Sequence, residues 1–312
     1  MQRVLVTGGT GFIGRHTLPR LAERGHDIHV VVPTAAEAPP PELGRAHVAD
    51  LLEPGTAAEV VTAIEPSHLL HMAWYVEPGQ VWSSLENVRW VEASLALLRA
   101  FGDAGGRRAV LAGTCSEYGH PSERVCREDA PLRPTNLYGE SKAALGRLAL
   151  AAAAELGVSA AWARIFFAYG PFEDPKRLVS SVTANLLRGR PAPCSHGRQV
   201  RDYLYTPDIS AALVELLDSD CGGPVNVGSG AGISLAELVG RLAAIIGRPE
   251  LLELGAIEPG PNEAPVLVAD VTRLRDEVGW RPAHGLDDGL ELTIGWWRRA
   301  LTGSGEVRPA ES

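Results

Sequence analysis

The sequence predicts an α/β fold, a doubly wound parallel sheet of Rossmann type with a smaller interleaved C-terminal substrate lobe. Three observations carry this. Short apolar runs alternate with helical periodicity through the first half of the 312 residues, the pattern of βαβ units. The first run enters a glycine turn, Gly8-x-x-Gly11-x-x-Gly14, that opens a helix. The runs at 28–32 and 109–112 are nearly continuously apolar, as central strands covered on both faces must be.

Taken in order, strands are expected at 3–6, 28–32, 68–71, 109–112 and 160–164, with helices at 12–24, 56–64, 84–101 and 141–156 between them. Pro19 lies inside the first helix, where it removes the hydrogen bond to the Arg15 carbonyl and predicts a kink or a shifted helix. Residues 34–44, with Pro39, Pro40 and Pro41, read as an exposed loop of polyproline character. Past residue 165 the pattern turns irregular, and Gly170-Pro171 and Gly189-Arg190-Pro191 punctuate loops. Helices are expected at 207–217, 235–246 and 286–300. A strand at 224–227 should rejoin the main sheet, and a small strand is expected at 266–270. This divides the chain into a dinucleotide-binding domain, 1–165, and a mainly substrate-binding lobe, 166–301. Segments near 200–228 return to the sheet, and 302–312 form a flexible tail.

Composition excludes several classes. A net charge of -9 argues against nucleic acid, and it requires local arginines to meet an anionic substrate. No apolar run reaches the ~18–20 residues of a membrane span, and the N-terminus enters a strand with no leader pattern. Cys115, Cys126, Cys194 and Cys221 form no CxxC pair, so reduced thiols in the cytoplasm are expected, and no metal site.

In the glycine turn one glycine permits the tight bend, one lets backbone approach a pyrophosphate, and one lets helix pack on strand. Gly8, Gly11, Phe12, Ile13, Gly14 and Arg15 are therefore expected against a dinucleotide, with phosphate at the helix N-terminus. The second strand ends Val31-Val32-Pro33-Thr34, without the acid that binds an NAD ribose. Arg15 could accept a 2′-phosphate, so the cofactor is read as NADP or NAD with a lean to NADP. Asp50 and Leu51 follow a third strand and could meet adenine.

Tyr138 and Lys142 are one helical turn apart and share a face. A free phenol titrates near ~10, and a neighbouring ammonium should lower that value. A phenol so tuned can exchange a proton with a carbonyl or alcohol oxygen while hydride moves at carbon. Thr114, at the end of the 109–112 strand, can give that oxygen a second hydrogen bond.

With these residues the chain resembles the extended short-chain dehydrogenase/reductases of the NAD-dependent epimerase/dehydratase group, over nearly its whole length. Thr7–Gly14 matches the glycine turn. His71-Met72-Ala73 is similar to the segment ending the fourth strand beside the cofactor, which puts Met72 and Ala73 against it; His71 is read as a packed strand-end residue. Tyr138 and Lys142 match the catalytic pair. Residues 164–171, Arg201-Asp202-Tyr203, residues 226–230 and Val278-Gly279-Trp280-x-Pro282 fit the C-terminal landmarks. The resemblance implies hydride chemistry on a nucleotide sugar and a homodimer through the helices at 84–101 and 141–156.

Departures narrow this. The family's 4,6-dehydratases follow the strand-end Thr with Asp and Glu; here Cys115 and Ser116 stand there, which argues against dehydration. Phe167 replaces the Asn that often holds the sugar, and no late phosphate-binding arginine shows in 258–265. The segment Gly113–Tyr118, with Lys176-Arg177-Leu178-Val179, looks most like nucleotide-sugar 4-ketoreductases. Trp74 and Tyr75, with Trp82, are expected to wall the sugar or base, Arg177 and Arg201 to hold the pyrophosphate, and Cys115, Ser116 and Phe167 to line the substrate site. The expected activity is NAD(P)H-dependent reduction of a 4-keto-6-deoxy nucleotide sugar at C4. The alternatives are a C4-epimerase with tightly bound NAD, and a catalytically silent NAD(P)-sensing binding protein.

Overall fold

The structure is a computed structural model that describes residues 2–121, 123–260 and 263–303. In chain order the first half runs β1 (Arg3–Thr7), α1 (Gly14–Glu23), β2 (Asp27–Val32), β3 (Arg45–Val48), α2 (Thr56–Ile64), β4 (His68–His71), α3 (Glu86–Asp103), β5 (Arg108–Thr114), α4 (Leu137–Glu155) and β6 (Ser159–Ile165). The second half runs β7 (Phe167–Tyr169), α5 (Leu178–Leu187), β8 (Ala192–Cys194), β9 (Val200–Tyr205), α6 (Thr206–Asp218) and β10 (Gly223–Val227). It continues with β11 (Gly232–Ser234), α7 (Leu235–Ile246), β12 (Leu252–Leu254), β13 (Val266–Leu267), α8 (Thr272–Asp276) and α9 (Leu286–Leu301).

Seven strands form one sheet in the order β10-β6-β5-β4-β1-β2-β3, and every pairing in it is parallel. Alternation along β1 sorts the layers. Val4 and Val6 face α1 and α6 in one buried cluster; Leu5 faces α2, α3 and α4 in another. The strand order reverses at β1, which is flanked by β4 and β2, so the crevice for a ligand lies beyond the carboxyl ends of β1 and β4. Beyond β6 the chain builds a small sheet of β7, β9, β11 and β13 and a β8–β12 pair, packed with α5, α7 and α9. β10 returns to the main sheet beside β6, as the sequence predicts.

The differences have local causes. α4 begins at Leu137 because Asn136 caps it, its Oδ1 accepting from the Gly139 N–H at 2.9 Å. Tyr138 therefore sits inside the helix. α1 starts at Gly14 and runs on through Pro19. The proline-rich loop holds two short 3-10 turns and stays largely exposed. The small strand at 266–270 shrinks to Val266–Leu267. The tail from residue 304 lies outside the described residues.

Candidate active site

The glycine turn has the three expected environments. Gly8, at φ 70°, presses on β4's exit: a Cβ there would stand 2.7 Å from the Ala73 nitrogen and 2.8 Å from the Met72 carbonyl carbon. At Gly14 a Cβ would come within 2.1 Å of the Gly8 carbonyl oxygen, so the start of α1 packs directly on the turn. A Cβ on Gly11 would meet only the Gly8 oxygen, at 3.4 Å. That side is open, as backbone approached by a pyrophosphate must be, and no side chain caps the N-terminus of α1. The residues thus fit a dinucleotide. Ile13 is fixed from both sides, its carbonyl accepting from Thr17 and Ser210, each at 3.0 Å.

Arg15 is engaged elsewhere: its Nε donates to the Thr10 carbonyl at 2.7 Å and its guanidinium lies 5.2 Å from the Phe172 ring centre. Asp50 closes a turn by accepting from the Leu52 N–H at 2.9 Å, while Leu51 is buried in the core.

Ala73 is held by a relay from α3. Ser94 Oγ donates to the Trp90 carbonyl at 2.6 Å, so it accepts from His71 Nε2 at 2.8 Å. His71 Nδ1 then accepts from Thr7 Oγ1 at 2.7 Å, and Thr7 Oγ1 accepts from the Ala73 N–H at 3.2 Å. Burial and the nearby Lys142 charge lower the imidazole to about 3, so it is neutral.

Thr114 ends β5. Its Oγ1 accepts from the Ser116 N–H at 3.2 Å and its own N–H donates to Glu117 at 2.9 Å. Tyr138 lies beside it, with Trp82 edge-on at 5.8 Å between ring centres. Burial pushes the phenol up to about 12, and a hydrogen bond with Thr114 pulls the other way. Burial likewise pulls Lys142 down to about 7, opposed by the Glu117 charge. The expected lowering of the phenol is not seen: desolvation outweighs the Thr114 hydrogen bond and the Arg177 charge, a balance that spacing along a chain does not reveal. Lys142 Nζ donates to the Ala112 carbonyl at 2.9 Å.

Three side chains expected at the substrate site are buried. Trp74 is buried instead of walling an open cleft: its indole ring centre is 3.6 Å from Lys142 Nζ. Cys115 is a buried thiol raised far above its ordinary range by desolvation, so it stays protonated. Arg201 is buried over Phe167, 5.4 Å from the ring centre, with Glu263 at 3.5 Å. Phe167 itself packs on Tyr203, with ring centres 5.5 Å apart. Tyr75 is half-buried and donates to Gln80 at 3.3 Å. Arg177 stands at the N-cap of α5, close enough for its charge to act on Tyr138 and Tyr203.

Glu117 is the residue to which sequence reading gave no role. Fully buried, it accepts from the Thr114 N–H, from Trp162 Nε1 at 2.9 Å and from Arg164 Nε at 2.8 Å. It sets the backbone of Thr114, and its lone pairs are committed. The signal was Glu three residues after Thr, a capping box. Glu173 was missed too. It is buried and raised to about 7 by desolvation, and it accepts from the Ser180 N–H and Oγ at 3.1 and 2.7 Å, anchoring the start of α5.

The model of the NAD dependent epimerase/dehydratase family matches residues 4–228. The chain belongs to this family. It is 30% identical to a UDP-glucose 4-epimerase of Azospirillum brasilense, over 96% of this chain and 92% of that one. Among solved structures, the UDP-glucose 4-epimerase of Thermotoga maritima with UDP-glucose superposes with a TM-score of 0.87 at 25% identity, covering 96% of this chain and 99% of that chain. The Thermus thermophilus UDP-glucose 4-epimerase, in complex with NAD, gives 0.84 at 28% identity over 96% and 99%. The chain is thus an NAD-dependent enzyme of the extended short-chain dehydrogenase/reductase type. No helix among the described residues is long and apolar enough to cross a membrane.

Proposed function

We propose that this enzyme moves hydride at C4 of a nucleotide sugar, and that it does so in both directions, as a C4-epimerase. The observation that carries the reading is the set Thr114, Tyr138 and Lys142 at the carboxyl edge of the sheet, with no free carboxylate beside it among the described residues. Cys115 and Ser116 cannot serve as acid and base for dehydration, and Glu117 is bound to Thr114, Trp162 and Arg164. The relatives named UDP-glucose 4-epimerase, which span nearly the whole chain, support the epimerase form.

Gly8, Gly11, Ile13, Gly14, Met72 and Ala73 would hold NAD, which supplies the hydride acceptor and donor when bound. The choice of NAD over NADP is supported by Arg15, whose guanidinium is tied to Thr10 and Phe172. Tyr138 takes the proton from the C4 hydroxyl and returns it to the ketone, Thr114 orients that oxygen, and the Lys142 ammonium stabilises the phenolate. Arg177 meets the pyrophosphate, with Phe167 and Tyr203 beneath the sugar. The enzyme works as a homodimer in the cytoplasm, where its four free thiols stay reduced.

A second reading has its own support. A phenol raised to about 12 is protonated at neutral pH and ready to reduce a ketone, as a 4-ketoreductase requires. The purified protein separates the two. Bound NAD released by heat, with interconversion of UDP-glucose and UDP-galactose and no added cofactor, supports the epimerase. Turnover of a 4-keto-6-deoxy nucleotide sugar only with added NADH or NADPH supports the reductase. In either case Tyr138→Phe should lower turnover more than ~100-fold and leave NAD binding intact. Cofactor binding with no turnover of any nucleotide sugar would leave only a silent binding protein.

A further inference from the structure

Lys142 is buried, and among the described residues no carboxylate lies within ion-pair reach of its ammonium. Its donor contact is the neutral Ala112 carbonyl. Above it lies the face of Trp74, with the ring centre 3.6 Å from Nζ; the Trp162 ring is farther, at 5.8 Å. The indole cannot turn away. Its Nε1–H donates to Asn87 Oδ1 at 2.9 Å, and Asn87 is itself fully buried and fixed, its Nδ2 donating to the Val81 and Ser84 carbonyls at 2.7 and 2.8 Å. Trp90 also packs against Trp74, with ring centres 6.2 Å apart and tilted at 34°.

We propose that Trp74 is a positioning residue: held by Asn87 of α3, its π face seats the Lys142 ammonium and keeps it charged in a site without a counter-ion. Its part in catalysis rests on the reading of Tyr138 and Lys142 given above; the seat itself does not. The chemistry explains the choice of side chain. A carboxylate would also hold the ammonium, but it would cancel the positive field that a phenolate needs. The quadrupole of an indole attracts the cation and adds no net charge. The need is real, because burial, only partly opposed by the Glu117 charge, draws Lys142 down to about 7. Among the other charged or titratable groups around it, the Glu117 charge favours the ammonium from beyond ion-pair reach. Glu117, beyond β5, is committed to its own donors; His71 on β4 is neutral; Tyr138, on the same helix, is a protonated phenol.

The test uses the unusual composition of the chain, which contains two lysines, Lys142 and Lys176. Lysine labelled with carbon-13 at the ε position gives the full-length protein two resonances. The Lys176 signal, from a side chain 70% exposed, serves as reference. The Lys142 ε-methylene protons should be displaced upfield by the indole ring current. In Trp74→Leu that displacement should vanish and the titration midpoint of Lys142 should fall by about one pH unit; Trp74→Phe should restore part of both. If Trp74→Leu does not fold, site-specific replacement of Trp74 by mono-, di- and trifluorotryptophan keeps the shape and weakens the π face stepwise, and the midpoint should fall stepwise with it. The alkaline limb of turnover should move with the midpoint. A midpoint indifferent to Phe, Leu and fluorination would overturn the proposal. A wild-type protein inactive on every nucleotide sugar, with the expected resonance behaviour, would instead refute the functional reading and leave the seat standing.

Discussion

The proton positions around His71 follow from its neighbours. Ser94 spends its hydroxyl proton on Trp90, so His71 must be the neutral Nε2–H form, and Thr7 must give its proton to Nδ1. Protonating Nδ1 would break the bond from Thr7 and place a charge in a dry site next to Lys142. The folded midpoint of about 3 lies below the ordinary 6.5, so the unfolded chain binds more protons between those values. Stability is therefore complete above pH ~6.5 and is lost as the pH falls towards 3, by at most roughly 5 kcal/mol from this residue. His68, lowered to about 4 mainly by burial, adds to the slope in the same direction. Urea unfolding between pH 4 and 7 should show this slope, and His71→Asn, less stable throughout, should show a shallower one. An unchanged slope would mean that His71 does not titrate against folding.

At the scale of elements, the strand–turn–helix at the N-terminus separates glycines that pack from glycines that face a ligand. Gly14→Ala drives a methyl into the Gly8 carbonyl oxygen and the Gly9 backbone, at 2.1 and 2.5 Å. Neither can yield without moving β1 from α1, so stability should fall by about 3 kcal/mol or more. Gly11→Ala meets nothing closer than 3.4 Å, so it should fold as the wild type and lose NAD affinity, because the methyl stands on the open side. Thermal unfolding with and without NAD checks both. Equal behaviour of the two variants would remove the distinction. These elements were legible because their periodicity is strong and their partners are central. β3 was expected before Asp50 but its bounds were not legible, since it is an edge strand with an exposed, unpatterned face. β8, β11 and β12 have three residues each and are defined by distant partners, as Leu252–Leu254 is by Ala192–Cys194. The site divides the same way. Tyr138, Lys142 and Thr114 stand in spacings that chemistry demands, and Glu117 stands in the spacing of a capping box with Thr114, whereas Trp74 over Lys142 depends on which faces of β4 and α4 meet.

For the whole molecule, the buried faces of α3 and α4 go to the sheet and to each other, through Leu97, Leu98, Phe101, Leu145, Ala149 and Ala153. Their outer faces still carry exposed apolar side chains, Val88 at 42% and Leu148 at 52%, with Leu85 at the start of α3 exposed at 74%. On a surface with a net charge of -9 these residues have a physical use if a second copy covers them across a two-fold axis. A stable pair needs ~800 Å² from each partner, which two helices of this length can offer. Because Asn87 and Ser94 on α3 hold Trp74 and His71, such an interface would also stiffen the site from behind. Sedimentation equilibrium at micromolar concentration should give a dimer. Val88→Arg combined with Leu148→Arg should give a folded monomer, with NAD binding weakened because α3 is less constrained. A monomeric wild type, or a double variant that stays dimeric, would place the interface elsewhere.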